Sequence, residues 1–402
     1  MKSVWHDFFP QVSADSASSA ISDLFKVAQQ PSIISFAGGF PAPECFPVED
    51  LAAAVERAMT ENPIAALQYG IPVGYNPLRA FVAEYMTKLH VPVSPEQILI
   101  TSGSQQVLDL IGRLILEPGA PVAVEAPSFI GAFQAWQPYS PRYISLPIDE
   151  DGLQVDALAN LLAGGVRPRF LYLVSSFQNP TGVTLSPARK QALVELAGQY
   201  GLPILEDDPY GDLYYSGSRP PTLAEMDVAL HGEARHVLYM GTFSKLISPG
   251  LRVGWGGAPA DLVSRMAQVK QGIDVHASNL AQTTVYEACR AGLLDRHLPY
   301  LRTIYRERRD VMLVSLEQHM PEGVNWTRPE GGMFIWLTLP EPLGAAALLR
   351  TAIEEQVAFV PGTPFYANDP QPNTLRLNFS HPKPDRIQEG VARLGRAIKS
   401  ML

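Results

Sequence analysis

This sequence of 402 residues has little cysteine and no long apolar run. Its two cysteines, Cys45 and Cys289, lie far apart and neither stands in a CxxC pair, so neither a disulfide framework nor a cysteine zinc site is expected. No segment approaches the ~20 apolar residues of a membrane-spanning helix, and the first residues lack the apolar run of a signal peptide. We therefore expect buried free thiols, a cytoplasmic location and no membrane partner.

Positive charge is also scarce, because Lys and Arg number 31 against 40 Asp and Glu, a formal net charge of −9. Nucleic-acid binding relies on clustered Lys and Arg, so no nucleic-acid partner is expected. The eight histidines, including His231 and His236, form no HxxxH or HExxH spacing. The sequence therefore predicts no metal site.

The order of apolar and polar segments predicts an α/β fold. From about residue 50 to 290, short apolar runs alternate with amphipathic stretches, which is typical of the strands and crossover helices of a parallel sheet. The predicted strands are 98–100, 121–125, 170–175, 203–206, 237–241 and 252–256.

Beyond residue 290 the pattern changes. A charged helical stretch at 300–319 leads to strands near 331–339 and 374–380, and an amphipathic helix follows at 384–401. The sequence thus predicts three parts, which are an N-terminal arm and loop at 1–48 packing with the small domain, a large domain at 49–290 with a mostly parallel central sheet, and a smaller α+β domain at 291–402.

Four polar clusters each adjoin a predicted strand. They are TSGSQQ at 101–106, FQNPTG at 177–182, LEDDPYG at 205–211 and GTFSKLISPGLRVGWG at 241–256. In an open α/β sheet the ligand site lies beyond the carboxyl ends of the strands. We therefore expect these clusters to converge although they are far apart in the sequence.

Each of the first two clusters has an ordinary structural interpretation and a functional one. Ser104 opens a predicted helix, where free amides, the helix dipole and the hydroxyl suit a phosphate, but a serine cap alone also fits. Asn179 lies in a turn at a strand end. Its amide is either part of that turn or a donor to a ligand's ring oxygen.

The other two clusters carry ionisable groups. Asp207 follows an apolar strand beside a second acid, so the two are either an exposed pair or include a carboxylate that faces a protonated pyridine nitrogen. Tyr210 could then donate to the ring's phenolate oxygen. Lys245 lies just past a strand between Thr242, Ser244 and Arg252, a setting that suits a phosphate and a nucleophilic amine, whereas a lone lysine is normally solvated.

In this order and spacing the clusters resemble the class I/II aminotransferases of fold type I, which depend on pyridoxal 5′-phosphate (PLP). The motifs most similar to the branch of 2-aminoadipate and kynurenine aminotransferases are SFAGGFPAPECFP, LQYG, SFQNPTG, LEDDPYG, FSKLISPGLRVGW, GGMFIW and TLRLNFS. The resemblance covers essentially the whole chain. It implies the PLP-dependent transferase fold and transfer of an α-amino group from an amino acid to a 2-oxo acid, expected to be 2-oxoglutarate, by a ping-pong mechanism.

The resemblance also implies a role for each matching residue. Lys245 would be the catalytic residue, which binds the cofactor covalently and then moves the substrate proton. The implied cofactor-binding residues are Ser104, Gln105, Phe129, Asn179, Asp207, Tyr210, Thr242, Ser244 and Arg252, with Tyr69 supplied by the other subunit of a homodimer. The substrate carboxylate would be bound by Arg376 together with Asn179 and Gly39.

The amino donor and two alternative functions stay open. A distal carboxylate, as in 2-aminoadipate, would want a cation, but residues 11–31 contain Lys26 and no Arg, which favours a tolerant pocket for acidic, aromatic and aliphatic amino acids. One alternative is a PLP-binding sensor domain related to GntR-type regulators. It is disfavoured because the 35 residues before FAGGF carry no Lys or Arg cluster. The other is a cysteine-conjugate β-lyase, which shares the cofactor residues.

Overall fold

The computed structural model describes Val4, Gln30 and residues 32–402. Most of the predicted N-terminal arm, with Lys26, therefore lies outside the described residues. In chain order the strands are β1 (Ile34–Ser35), β2 (Ile98–Thr101), β3 (Pro121–Ala126), β4 (Arg142–Asp149), β5 (Gly152–Leu153), β6 (Leu171–Leu173), β7 (Ile204–Asp207), β8 (Val237–Thr242), β9 (Gly254–Gly257), β10 (Asn325–Trp326), β11 (Phe334–Thr338), β12 (Val357–Ala358), β13 (Val360–Pro361) and β14 (Thr374–Asn378).

The α-helices alternate with these strands over the first two thirds of the described chain. They are α1 (Val48–Glu61), α2 (Pro63–Leu67), α3 (Asn76–Lys88), α4 (Ser104–Ile115), α5 (Ile130–Trp136), α6 (Val155–Ala163), α7 (Pro187–Tyr200), α8 (Leu223–His231), α9 (Ala260–Asp274), α10 (Asn279–Arg290), α11 (Leu293–His319), α12 (Ala345–Glu354) and α13 (Pro384–Lys399). None of the helices in the described part of the chain has the length and apolar character needed to cross a bilayer.

The larger sheet has eight strands in the order β2-β9-β8-β7-β6-β3-β4-β5. The run from β8 to β4 pairs in parallel, whereas β9 is antiparallel to both β2 and β8. The expected mostly parallel sheet is therefore present. A second sheet of four antiparallel strands, in the order β10-β11-β14-β13, lies in the last part of the chain.

Apolar runs without alternation form the central strands because both faces of the larger sheet are covered. In β6, Leu171 and Leu173 pack into one apolar cluster and Tyr172 into the other. The same alternation holds in β8, where Val237 and Leu238 point into opposite clusters. Apolar side chains thus pack on both faces of these strands. The buried strands form a rigid support for the polar residues just past their ends.

The structure corrects the predicted strand at 252–256 and adds six strands that were not predicted, of which β4 is the longest. Arg252 lies before β9 rather than in it, in the left-handed conformation with φ of 52°. The strand β4, with the sequence RYISLPID, was not predicted because it lies close to the sheet edge and carries polar residues and a proline. Cys45 and Cys289 are buried free thiols, as expected.

Candidate active site

A cavity of about 340 Å³ opens at the carboxyl ends of the parallel strands. Twelve of the thirteen predicted site residues line it, although they come from loops and elements spread over the whole described chain. They are Gly39, Ser104, Gln105, Phe129, Asn179, Asp207, Tyr210, Thr242, Ser244, Lys245, Arg252 and Arg376. The expected convergence of the four polar clusters is therefore observed.

Tyr69 is the predicted residue that does not line the cavity. It follows α2 on the surface, where it is 82% exposed. Its ring makes an edge contact with the ring of His276 at 5.8 Å between centroids. The predicted role of Tyr69 requires a second subunit, so a single chain does not test it.

Lys245 follows β8 and reaches into the cavity, where its Nζ donates a hydrogen bond of 2.8 Å to the carbonyl oxygen of Gly39. Burial, together with the nearby positive charges of Arg376 and Arg252, lowers the pKa of Lys245 to about 8. A larger fraction of this amine is neutral near pH 7 than in an ordinary lysine. The amine is thereby closer to a nucleophilic state.

Asp207 ends β7 and is buried with one carboxylate oxygen satisfied. Tyr172 of the neighbouring β6 donates to Oδ2 at 3.0 Å. The other oxygen, Oδ1, is buried and has no hydrogen-bond partner among the described residues. Burial raises the pKa of Asp207 to about 7, because the hydrogen bond from Tyr172 only partly compensates for the lost hydration. A cationic donor in front of Oδ1 would complete this site.

The alternative interpretation of Asp207 and Asp208 as an exposed acidic pair is wrong. Both are buried, at 3% and 5% exposure. Asp208 lies in an ion pair with Arg219, and its Oδ2 accepts a hydrogen bond of 3.0 Å from Tyr239. The two adjacent acids therefore serve different sites, and only Asp207 lines the cavity.

Arg376 on β14 carries its guanidinium across from the smaller sheet. Nη1 donates to Asn179 Oδ1 at 2.8 Å and Nη2 to the carbonyl oxygen of Ala37 at 2.7 Å, while Nε is buried without a partner among the described residues. The guanidinium lies 4.3 Å from the ring centre of Phe334 and 5.1 Å from that of Phe365. Burial lowers its pKa to about 10, so Arg376 stays charged at neutral pH.

Tyr210 and Asn179 complete the polar side of the cavity between Asp207 and Arg376. Burial raises the pKa of Tyr210 above its ordinary value, and the neighbouring side chain of Asn179 offsets only part of this rise. Tyr210 is therefore a neutral donor at physiological pH. Its ring is fixed by an edge contact with Phe334, at 5.8 Å between centroids.

The start of α4 and the loop after β8 form the cationic end of the cavity. Gly103, before α4, has φ of +79°, and a Cβ there would lie 2.5 Å from Nη2 of Arg252, so this close approach requires glycine. Thr242 Oγ1 donates to Ser244 Oγ at 2.9 Å, and Arg252 Nη1 lies 3.4 Å from the same hydroxyl. Helix amides, hydroxyls and a guanidinium together are the usual ligands of a phosphate.

Gln105 and Phe129 lie beside the cationic end of the cavity, and both are close to Gly131. Gln105 Nε2 donates to the carbonyl oxygen of Gly131 at 2.6 Å, so its side chain is engaged and its backbone amide is what remains for a ligand. Phe129 precedes α5 and lines the cavity as a flat apolar wall. An aromatic ligand ring can stack on such a wall.

Several site residues were not predicted from the sequence. Tyr172 holds Asp207, and Phe334 and Phe365 flank Arg376. Phe334 lies in the motif GGMFIW, which could have indicated it, whereas the other two depend on strand register and loop position. Further unpredicted lining residues are Ile130, Gly131, Gln134, Val174, Pro209, Pro249 and Val360.

The residues that line the cavity provide the groups that would bind PLP. The unpartnered Oδ1 of Asp207 suits a protonated ring nitrogen, and Tyr210 and Asn179 suit the ring's phenolate oxygen. The cationic end suits the phosphate, and the amine of Lys245 lies in the same cavity.

Comparisons with known proteins agree with this interpretation. The family model described as aminotransferase class I and II matches residues 37–394. The 2-aminoadipate transaminase of Thermus thermophilus is 46% identical over 399 residues, covering 99% of this chain and 98% of that protein. The aromatic-amino-acid aminotransferase 1 of Thermococcus litoralis is 40% identical, covering 98% and 95%.

A solved structure is similar over the same length. The crystal structure of an α-aminoadipate aminotransferase from Thermus thermophilus, complexed with N-(5′-phosphopyridoxyl)-L-leucine, is 44% identical with a TM-score of 0.92, and 99% of each chain is covered. The resemblance predicted from the motifs and the fold-type I architecture are thereby confirmed.

Proposed function

Because this chain belongs to the class I and II aminotransferase family and is a PLP-dependent enzyme of that family, we propose that it moves the amino group of acidic, aromatic and aliphatic amino acids to 2-oxoglutarate. The observation that carries the assignment of roles is the buried Oδ1 of Asp207, which has no partner among the described residues and belongs to a residue that lines the cavity together with Lys245. A ping-pong order and a cytoplasmic location stay predictions of the same proposal.

The bound cofactor supplies a ring that accepts the electron pair released at the substrate Cα. Asp207 would keep the ring nitrogen of the bound cofactor protonated, and Tyr172 holds the Asp207 carboxylate in place. Lys245 would hold the cofactor at rest, and its amine, with a pKa of about 8, would then be the base that accepts the proton from the substrate Cα.

Arg376 orients the substrate. Its Nε and one Nη can grip the α-carboxylate as a bidentate pair, and Asn179 fixes the guanidinium at 2.8 Å. This grip would fix the carboxylate and so leave the Cα–H bond, rather than the bond to the carboxylate, accessible to the amine of Lys245. Proton transfer is thereby favoured over decarboxylation.

Replacing Arg376 with lysine is expected to lower kcat/KM for amino acids by about 100-fold, mainly through KM, because a lysine keeps the charge but loses the bidentate geometry. Steady-state kinetics at saturating PLP measures this. Arg252→Lys is the matched control, since the change at the cationic end should weaken PLP binding and leave the amino-acid KM nearly unchanged once PLP is saturating. An unaltered amino-acid KM in Arg376→Lys would contradict the assigned role.

The breadth of the amino donor follows from the charges of the cavity. Among the described residues its lining cations are Lys245, Arg252 and Arg376, and each already has a role at the cofactor or the α-carboxylate. The wall beyond them is largely apolar, with Ile130, Val360 and Phe365. A distal carboxylate therefore has no dedicated partner there, and an apolar side chain meets no unpaired charge.

With 2-oxoglutarate as acceptor, L-2-aminoadipate, L-phenylalanine and L-leucine are expected to give kcat/KM values within about 100-fold of one another, the range that apolar contacts alone discriminate. Glutamate formation measures all three on one scale, with D-phenylalanine as the negative control. A preference of more than about 10³-fold for 2-aminoadipate would mean that a cation outside the lining residues binds the distal carboxylate.

We also propose that the enzyme is a homodimer, in which Tyr69 helps to bind the phosphate at the active site of the other subunit. The segment around α2 exposes apolar side chains, with Ile64 77% and Leu67 65% exposed. Exposed Ile273 and Val275 at the end of α9 add to the apolar surface. A concentration of exposed apolar side chains is typical of a subunit interface, and Tyr69 would then reach the partner's phosphate site.

Sedimentation is expected to give twice the chain mass of 43.9 kDa. Tyr69→Phe should raise the PLP dissociation constant by about 10-fold, because it removes one hydrogen bond to a charged group. Tyr300→Phe removes another exposed hydroxyl and serves as the control. A fully active monomer would exclude the shared site.

A further inference from the structure

Asp227, His231 and His236 lie close together near the amino end of β8, on the side of the larger sheet opposite the PLP cavity. One carboxylate oxygen and two imidazole nitrogens of these residues lie within 4.8 Å of one another. His231 is the last residue of α8, and His236 precedes Val237, where β8 begins. The cavity residues lie past the other end of β8, roughly 16 Å away along the strand. We call Asp227, His231 and His236 the far-edge cluster.

The carboxylate of the far-edge cluster is held as metal-binding carboxylates are. Asp227 is fully buried, and its Oδ2 accepts hydrogen bonds from the backbone amides of His236 at 2.6 Å and Val237 at 3.1 Å. Oδ1 is therefore the oxygen turned toward the histidines. Outer hydrogen bonds of this kind fix the orientation of a ligand before the metal arrives.

The imidazole rings are oriented as well. A Cβ added to Gly198 of α7 would lie 2.8 Å from Nε2 of His231, so that nitrogen rests against the helix. Nδ1 of His231 lies 2.8 Å from Asp227 Oδ1, and Nδ1 of His236 lies 3.1 Å from the same oxygen. The Nδ1 atoms of both histidines thus lie within hydrogen-bonding distance of the same carboxylate oxygen.

These separations suit a common metal ion. With metal–nitrogen and metal–oxygen distances near ~2.1 Å, two ligand atoms at right angles lie about 3.0 Å apart, and at the tetrahedral angle about 3.4 Å apart. The observed 2.8 and 3.1 Å need shifts of a few tenths of an ångström at most for six-coordination, and somewhat more for four. The histidine side chains are 25% and 14% exposed, which leaves room for water as the remaining ligand.

We propose that the far-edge cluster binds one divalent transition-metal ion, Zn²⁺ or its chemical neighbours Co²⁺ and Ni²⁺, through Asp227 Oδ1 and the Nδ1 atoms of His231 and His236. Imidazole with one carboxylate is a ligand set that these metals prefer over Mg²⁺ or Ca²⁺. The ion joins the end of α8 to the start of β8 and lies away from the PLP cavity. It is therefore a structural site that does not depend on the proposed amino donor.

The test uses the PLP-loaded enzyme after removal of metals with a chelator. Zn²⁺ is titrated in competition with a chromophoric chelator, and Co²⁺ is titrated while its visible bands are recorded. One equivalent of each metal is expected to bind. His231→Gln and His236→Gln should each weaken the affinity by at least about 100-fold, since each removes a ligand outright. His90→Asn removes an exposed histidine elsewhere and should leave the affinity unchanged.

Stability and cofactor content separate loss of the metal site from loss of the fold. Without metal, both glutamine variants should keep the visible PLP absorbance of the unaltered enzyme. Excess Zn²⁺ should raise the melting temperature of the unaltered enzyme by about 2–5 °C and leave both variants unmoved. The proposal fails if the unaltered enzyme binds less than a stoichiometric amount of both metals, or if both variants bind as tightly as it does.

Discussion

Lys245→Ala is expected to lower kcat/KM for transamination by about 10⁴-fold or more, because the covalent anchor of the cofactor and the proton-transferring amine are lost together. Among the described residues, Lys190 and Lys270 are buried too, but they face other partners. Lys190 Nζ donates to the carbonyl oxygen of Pro221 at 2.6 Å, and Lys270 Nζ lies 2.8 Å from a carboxylate oxygen of Asp274. Neither can take over the role of Lys245.

Mass spectrometry after borohydride reduction separates the two losses. In the unaltered enzyme the mass of the cofactor should stay on the peptide that contains Lys245, and in Lys245→Ala it should appear on no peptide. Lys245→Arg keeps the positive charge but not a nucleophilic amine, so it should be as inactive as the alanine variant. Lys88→Ala, at the exposed end of α3, is the control with unchanged activity. Activity within about 10-fold of normal in Lys245→Ala would exclude the proposed mechanism.

The second large effect is expected at Asp207. Asp207→Asn replaces the buried carboxylate with a neutral amide, which no longer holds a proton on the ring nitrogen of the cofactor. We expect kcat to fall by about 10²–10³-fold, since several pKa units of ring basicity are lost at 1.36 kcal/mol each. Single-turnover kinetics with L-2-aminoadipate measures the chemical step, separately from product release.

Tyr172→Phe gives a graded comparison. It removes the hydrogen bond to Oδ2 but leaves the carboxylate, so we expect a decrease of about 3–10-fold in kcat. If Asp207→Asn had an effect no larger than Tyr172→Phe, the carboxylate would not be the group that holds the ring proton. Cofactor absorbance before substrate addition shows whether each variant still binds PLP.

Most of this site could be predicted from the sequence because its reactive residues lie at the ends of strands or just past them. Asp207 is the last residue of β7 and Lys245 lies three residues past β8, and both strands are buried, so their positions relative to the sheet follow from the pattern alone. The assignment to PLP came from the order of the motifs, which a single cluster could not have provided. Twelve predicted residues from distant segments line one cavity as a result.

What the sequence could not predict depends on contacts between elements. The hydroxyl of Tyr172 reaches Asp207 only because β6 and β7 pair in register, with Tyr172 opposite Leu205. Asp208 serves a different site from Asp207 because it forms an ion pair with Arg219, which lies in a loop. Neither contact has a local signal in the sequence.

The far-edge cluster illustrates the same limit. The spacing of Asp227, His231 and His236 matches no familiar metal motif, which is why no metal site was predicted. The chain turns back between the end of α8 and the start of β8, and this turn brings His236 to the carboxylate of Asp227. Spacing rules for one helix do not describe ligands that come from a helix and the segment after it.

The most direct test of the central claim is the absorbance spectrum of the purified enzyme with PLP, recorded during titration with L-2-aminoadipate, L-phenylalanine and L-leucine. We predict a visible band of protein-bound cofactor that each amino acid converts to the ultraviolet band of the aminated cofactor, that 2-oxoglutarate restores, and that Lys245→Ala does not show in the resting state. A protein without any cofactor band, or with a band that no amino acid changes, would contradict the assignment as an aminotransferase.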